Sequence, residues 1–502
     1  MSERPFSAMN KYIDFFYKAF FKVHYICFFY ILLLAIACPY QDIKWAGAIS
    51  LGIVFLIVKK YRTLHVYFNL FWKRIELNSD TFFLKLQIVS LIILFIFSYL
   101  LRVNLSWDYG QIITSAYEYA RYGEIQNLAY YARYGNNQLI LLFFFCYFKV
   151  MLFLMPSATL SMCQAATLPI NCLIIEAAIQ MTYRTAKICM GPKHAFVSGI
   201  ICLSCSPFYL YSSIAYTDTL GLLFLILILY FYLMFITMNH FHKWWFLFLC
   251  FSTGVIGYYF KATIGIVIIA VIFDYVLRSH RKSEKPYKSI IIFLIILLTT
   301  ALSVNIIITN TLERYTGISQ TQYEENKFPL THWIMMSLNK SGGYNQDDVD
   351  FTKSFPTVDM RKEANLTMIR ERLHERGIIG TLSHILYTKW RRTWTYSTCA
   401  ADDYIKRHPV KPNILHAFFT AEGKYYLIYI LYAHSWWIIL LMLVVKSTFQ
   451  HINGQDHIFV LHLTVFGLLL FLSFWECNPR YLVLFLPALI LIAADGLCSE
   501  YY

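Results

Sequence analysis

The feature that most limits the fold is a succession of apolar runs, each close to 20 residues, divided by short segments where Lys and Arg collect. A helix of roughly 20 apolar residues crosses the hydrocarbon core of a bilayer. Within that core only helices and closed barrels satisfy their own backbone hydrogen bonds. Such runs lie near 20–38, 44–58, 84–101, 158–181, 196–214, 219–238, 244–260, 262–278, 288–308, 425–446, 457–474 and 481–498. Charged residues make up 14% of the chain and hydrophobic residues 58%, against about 25% and 45–50% in soluble proteins. That balance excludes an ordinary soluble enzyme and a disordered chain. Length and cysteine placement exclude a small secreted disulfide scaffold. The net charge of +14 does not describe a nucleic-acid binder, because the cations sit in short loops rather than in one basic patch. The fold class expected is an all-α polytopic membrane protein.

Lys and Arg also set the orientation, since they accumulate in cytoplasmic loops. Three segments read as cytoplasmic: 59–83 with Lys59, Lys60, Arg62, Lys73 and Arg74; Arg184, Lys187 and Lys193; and Arg278, Arg281, Lys282, Lys285 and Lys288. The first run follows Lys11, Lys18 and Lys22 with no small-residue cleavage site, as in a retained anchor. The run 84–101 then exits at Arg102, and the chain must return before Arg184 by an odd number of crossings. Two runs lie between, 138–155 and 158–181. The first carries Lys149 in mid-run, so it is expected to be a juxtamembrane or re-entrant helix on the outer side. If it spans instead, the Arg184 loop is external. About twelve spans follow, with both ends of the sequence inside. The expected organisation is a transmembrane module 1–308 with a first outer loop 102–157, an extracytoplasmic loop domain 309–424, and C-terminal helices 425–502. The cell membrane is the expected location.

Ionisable residues at membrane depth are costly, which makes each a functional candidate. Asp108 follows a span and sits beside aromatics in Asn104-Leu-Ser-Trp-Asp-Tyr-Gly. It suits a general base toward a hydroxyl, or it caps the helix 111–122. Tyr134-Gly-Asn-Asn places Asn136 and Asn137 at the mouth of the run 138–155, as caps or as ligands for sugar hydroxyls or phosphate. Tyr216-Thr-Asp puts Asp218 at the same depth as Asp108, unless it merely caps the next span. Lys261 lies between two nearly contiguous runs, either snorkelling or pairing with Asp218 or a lipid phosphate. In Trp475-Glu-Cys-Asn-Pro-Arg-Tyr, Asn478 reads as an N-cap and Pro479 as the first helical residue. Arg480 in that first turn makes an anion site, or else pairs only with Glu476. Cys202 and Cys205 lie in an apolar run and read as structural. No nucleotide-binding or hydrolase motif is present. The sequons at Asn104, Asn339 and Asn365 matter only in a glycosylating host.

In order, these motifs resemble the GT-C superfamily of polytopic glycosyltransferases, in the bacterial branch similar to protein O-mannosyltransferases and aminoarabinose transferases. The resemblance rests on Asp108, then Tyr134, Asn136 and Asn137, then Tyr216-Thr-Asp218, then Lys261, and last Glu476, Arg480 and Tyr481. Thr331-His-Trp-Ile-Met-Met and Gly342-Gly-Tyr-Asn add to it in the large loop. Gly135 departs from it, because relatives often carry Pro there.

The resemblance implies outer juxtamembrane helices and transfer, on the outer face, of a sugar from a polyprenyl-phosphate donor. It implies Asp108 as base and Asp218 as second acidic residue. Tyr134, Asn136, Asn137, Lys261, His332, Tyr344, Glu476, Arg480 and Tyr481 would hold substrate. Lys389, Arg391 and Arg392 would add phosphate contacts. Direct displacement would invert the anomeric configuration. No cofactor is required, and a divalent metal would need Asp108 and Asp218 together. The partners expected are a lipid-linked donor and a membrane-proximal glycan, glycolipid or protein acceptor, with no nucleic acid. The rival readings are a ligase or polymerase acting on a lipid-diphosphate glycan, a transporter or flippase, and a noncatalytic assembly factor.

Overall fold

The computed structural model describes residues 3–40, 44–238, 242–282, 286–452 and 458–498. Lys285, counted above among the inner-loop cations, lies outside the described residues. Among them there is no strand, and one isolated antiparallel bridge joins Val103 to Pro409.

Among the described residues, nine helices are long and apolar enough to cross a membrane: Asn10–Ala37, Thr63–Leu100, Gly135–Leu154, Leu160–Met190, Thr217–Thr237, Ala262–Arg281, Tyr287–Thr316, Tyr426–Gln450 and Pro479–Cys498. The runs at 44–58 and 457–474 form shorter apolar helices, Gly47–Lys59 and Phe459–Phe474. The run 196–214 departs from expectation. It divides into Pro192–Leu203 and Ser206–Tyr211, and Pro207 in the first turn of the second helix explains why a continuous helix gives way there.

The bundle is organised around Pro479–Cys498, whose apolar stretch is 89% buried, whereas that of Tyr287–Thr316 is 11% buried and faces outward. Polar side chains tie the helices where lipid supplies no hydrophobic drive. Gln87 and Ser90 each donate to Glu176 at 3.0 Å, joining Ser79–Leu100 to Leu160–Met190. At one end of this pair Lys187 and Tyr183 hold Asp80 at 2.6 and 2.7 Å.

At the opposite end Gln164 donates to the Val103 carbonyl at 2.7 Å. This contact fixes the role of Gln138–Leu154. Its N-terminus lies at that same end, where Gln138 donates to the Tyr131 carbonyl at 2.9 Å. Residues 155–159 then lead into a helix that also begins there, and five residues reach at most about 17 Å, short of the ~30 Å core. This helix therefore lies alongside Trp107–Tyr122, with Tyr119 stacked on Phe145 at 4.1 Å and Lys149 donating to Ala120 O. Its buried face packs on that neighbour, while Val150, Phe153 and Leu154 stay exposed.

The segment between Tyr287–Thr316 and Tyr426–Gln450 folds over the same end. Arg372 pairs with Asp348 and donates to Met335 O at 2.7 Å. Arg376 donates to Leu338 O and Asn339 O. Together they hold carbonyls at and just past the end of Leu330–Ser337. Gly377, at φ 62°, kinks the stretch Val358–Ser383 into two helices. One π-helical turn follows, His384–Lys389. Lys389 emerges buried, its Nζ donating to Ser473 O and Trp475 O at 2.9 Å each. Gly342 packs on the Lys389 stem, and its carbonyl accepts from Cys477 N–H at 2.8 Å. The segment 317–425 is thus fastened to the turn that opens the last helix.

Candidate active site

Four chain breaks meet at this end of the bundle. The first is the turn into Trp107–Tyr122. Asp108 lies in the first helical turn, but the N-cap is Ser106, and the Asp108 carboxylate does not cap. It accepts from Tyr130 Oη at 2.6 Å and from Tyr216 Oη at 3.4 Å. Tyr130 also accepts from Asn137 Nδ2 at 2.6 Å, and Asn136 donates to Asn137 Oδ1 at 3.1 Å. The two amides therefore form a relay behind Asp108 rather than a helix cap. Burial and the Asp108 carboxylate both push the Tyr130 hydroxyl far above its ordinary range, so it stays a proton donor to Asp108.

Gly135 has a steric reason. A Cβ there would stand 2.4 Å from the Tyr323 ring. Ring and turn close together only because residue 135 has no side chain.

The second break opens Thr217–Thr237. Asp218 does not cap it. The residue is 2% exposed, and its Oδ1 accepts from Lys261 Nζ at 2.6 Å. Lys261 comes from the third break, between Lys243–Phe260 and the 262–264 turn. Its ammonium sits 4.6 Å from the Tyr481 ring. Burial pulls the Lys261 ammonium below its ordinary value, and the Asp218 carboxylate opposes that pull.

The fourth break opens the last helix. Asn478 caps it by accepting from Arg480 N–H at 3.0 Å, with Pro479 in the first turn, as the sequence predicts. The first turns are 3₁₀ rather than α. Arg480 does not pair with Glu476 alone. Glu476 instead accepts from Tyr481 Oη at 2.9 Å. Arg480 Nε stands 3.1 Å from Asp218 Oδ2, an ion pair without hydrogen-bond alignment. Although Arg480 is only 7% exposed, its Nε and Nη1 have no hydrogen-bond acceptor. The guanidinium carbon lies 4.9 Å from the Trp107 ring, 5.2 Å from Tyr216 and 4.8 Å from Tyr404. A buried guanidinium ordinarily finds acceptors for most of its donors. Here rings surround it, and neither Nε, beside Asp218, nor Nη1 makes a hydrogen bond, which leaves donors able to take an anion.

Glu476 lies within reach of Arg480, Arg392 and Lys261; burial raises its carboxyl above the ordinary range and those cations oppose the rise. Tyr344 is exposed, yet near enough to Asp108, Asp350 and Glu476 that their charges add to burial in raising its hydroxyl. Tyr134 packs on Phe328 and Tyr130 at the rim.

His332 lies elsewhere. It is enclosed within the segment 317–425, with Nδ1 2.7 Å from Thr352 Oγ1 and its ring against Phe328. Of the three cations read as further phosphate contacts, Lys389 is engaged with Ser473 and Trp475. Arg391 donates to Cys38 O and Pro39 O at 2.9 and 3.0 Å. Arg392 rests over Gly343, where a Cβ would stand 2.6 Å from its guanidinium carbon. Two of the three sequons are also internal: Asn365 is buried and Asn339 nearly so. Among the described residues no group of three or more His, Cys, Asp or Glu converges to hold a metal ion. Asp108 is engaged by two tyrosines and Asp218 by two cations.

Sequence reasoning missed Tyr130, Trp107 and Tyr404. Trp107 adjoins Asp108, which is a signal of a kind. Tyr130 and Tyr404 are two tyrosines among 39, and nothing local separates them from the rest.

The sequence matches the family described as CHIM_prot, conserved hypothetical integral membrane protein, over residues 5–497. No curated protein matches it. Among solved structures, ArnT from Cupriavidus metallidurans bound to undecaprenyl phosphate is similar, with 10% identity and a TM-score of 0.31, over 82% of this chain and 77% of that one. ArnT of the same organism in the apo state gives 10% identity and a TM-score of 0.34, over 83% and 77%.

Proposed function

The chain belongs to this family of integral membrane proteins, and from that premise we propose that it is a GT-C-like glycosyltransferase. In this reading it moves a sugar from a polyprenyl-phosphate donor to an acceptor hydroxyl at the extracytoplasmic face of the cell membrane. The observation that carries the reading is Arg480, a buried guanidinium with unpaired donors at the end of a helix bundle, in one site with a carboxylate held by neutral donors. A phosphate whose lipid tail stays in the bilayer meets such a group at this depth.

The chemistry follows from the positions. Asp108 accepts the proton of the acceptor hydroxyl as its oxygen attacks the anomeric carbon. Tyr130 and Tyr216 keep the carboxylate oriented. The bond from the anomeric carbon to the phosphate oxygen breaks, and the phosphate leaves with both electrons. Arg480, with Lys261 and the opening turn of the last helix, stabilises that charge. Asp218 holds Lys261 and Arg480 in register. Attack opposite the leaving group inverts the anomeric centre. Glu476, Tyr134 and Tyr344 line the side from which an acceptor arrives.

The test is transfer in proteoliposomes from a panel of radiolabelled polyprenyl-phosphate sugars, with Asp108→Asn beside the wild type. Label passing to an acceptor, and lost in Asp108→Asn at normal folding yield, is the expected result. Activity only with lipid-diphosphate glycans moves the assignment to a ligase. Full activity in Asp108→Asn removes Asp108 as the base.

A further inference from the structure

Four non-glycine residues among the described ones have positive φ: Trp107 at 45°, Cys399 at 50°, Ala400 at 61° and His408 at 52°. For residues with a Cβ this region is unfavourable, most of all for a bulky one, and it persists where surrounding structure enforces it. These four are not scattered. Trp107 forms one wall around Arg480. Cys399 and Ala400 lead directly into Ala401–Lys406, which carries Tyr404, another wall. His408 lies in the stretch that joins the two segments. Its carbonyl accepts from Asn104 N–H at 2.8 Å, Val103 bridges Pro409, and Arg102 O accepts from Val410 N–H at 3.0 Å.

Each segment is held from outside. The turn before Trp107 is tight enough that a Cβ on Gly110 would lie 2.7 Å from the Leu105 carbonyl carbon. The Cys399 carbonyl accepts from Tyr211 Oη at 2.8 Å. Asp402 accepts from Thr398 Oγ1 at 2.6 Å and from Tyr426 Oη. The result is a cage in which Trp107 meets Tyr216 at 5.0 Å and Tyr404 at 5.2 Å between ring centroids, all three facing the Arg480 guanidinium, with Arg407 also 4.4 Å from the Tyr404 ring. Cation–π attraction holds a guanidinium without using its hydrogen-bond donors. An acidic cage would consume them.

We propose that Trp107 and Tyr404 are positioning residues for Arg480, and that the strained segments 103–107 and 399–409 form a clamp. The clamp fixes the guanidinium while leaving its donors free for the phosphate of a polyprenyl-phosphate ligand. This rests on the functional reading above, and deepens it by naming what prepares the phosphate site. Tyr404 touches the cation and not the reacting atoms.

The test uses the full chain in nanodiscs and measures its affinity for undecaprenyl phosphate. The variants are Tyr404→Leu, Tyr404→Phe, Arg480→Gln and the Tyr404→Leu/Arg480→Gln double. Tyr404→Leu is expected to weaken binding about tenfold, Tyr404→Phe to bind like the wild type, and Tyr404→Leu to add no loss once Arg480 is gone. Wild-type affinity in Tyr404→Leu overturns the clamp, and so does an equal loss in the Arg480→Gln background. In either case the functional reading survives. Absence of binding by the wild type, or full affinity in Arg480→Gln, overturns both. Should Tyr404→Leu not fold, Trp107→Leu against Trp107→Phe makes the same comparison.

Discussion

Asp218 is a buried carboxylate facing two cations, and that arithmetic decides what its neighbours do. With Lys261 at 2.6 Å and Arg480 at 3.1 Å, losing one cation leaves the other pair nearly balanced, while losing the carboxylate strands two positive charges. Breaking a buried pair by removing one partner costs about 3–5 kcal/mol. Lys261→Met is therefore expected at the lower edge of that range, about 3 kcal/mol, and Asp218→Asn is expected to destabilise more. Thermal unfolding in detergent orders the two. Tyr130 gives a different kind of prediction. Tyr130→Phe removes the 2.6 Å bond to Asp108 with little change in packing. It is expected to slow transfer about tenfold, less than the roughly 10²–10⁴-fold that an acid–base group itself supplies, with a thermal midpoint close to wild type. The ionisable residues of this site were legible in the sequence because charges at membrane depth are rare. The rings were not, because a tyrosine shows its partner only after the chain has folded.

Two elements show how the segment 317–425 is fitted to the bundle. Tyr323 in Gln320–Asn326 closes on residue 135, and a methyl group there would collide with its ring at 2.4 Å. Gly135→Ala is expected to cost about 1–3 kcal/mol through overpacking, and Gly135→Ala/Tyr323→Ala to recover most of it. The motif made Gly135 visible as a departure, but its reason lay 188 positions away in the sequence. His332 belongs to this level too. Burial lowers its imidazole from the ordinary 6.5 to about 4. The folded segment therefore binds fewer protons than the unfolded one between those values. Its stability is complete above pH 6.5 and declines as pH falls toward 4, by about 3 kcal/mol in all. Hydrogen exchange over residues 330–352 is expected to show protection falling from pH 7 to pH 5, and His332→Gln to flatten that slope. A histidine beside Trp333 reads as a ligand in the sequence. In the fold it is core, since the helices that enclose it are brought together by Arg372 and Arg376.

At the scale of the whole molecule, the apolar runs mark most of the helices, and the lysine and arginine pattern leads to the expectation that 138–155 does not cross. Hydropathy points the other way, because Gly135–Leu154 is as apolar as a span. The contacts of Gln138 and Lys149 set it beside the residues around Trp107–Tyr122. The run 196–214 failed where Ser206-Pro207 interrupts it, a local signal outweighed by the hydropathy on either side. The arrangement predicts that a cysteine placed at Glu124 reacts with a membrane-impermeant maleimide from outside intact cells. One placed at Lys187, at the Asp80 end of the bundle, is expected to react only after permeabilisation. In the proposed reaction Arg480 receives the phosphate of a lipid-linked sugar while Asp108 faces the sugar's anomeric carbon. A cryo-electron microscopy structure with a phosphonate analogue of a polyprenyl-phosphate sugar tests both placements at once. The phosphonate oxygens are expected within hydrogen-bond distance of Arg480, and the sugar between it and Asp108. A phosphonate seated away from Arg480, with Asp108 still enclosed by Tyr130 and Tyr216 and out of reach of the sugar, would contradict that reaction.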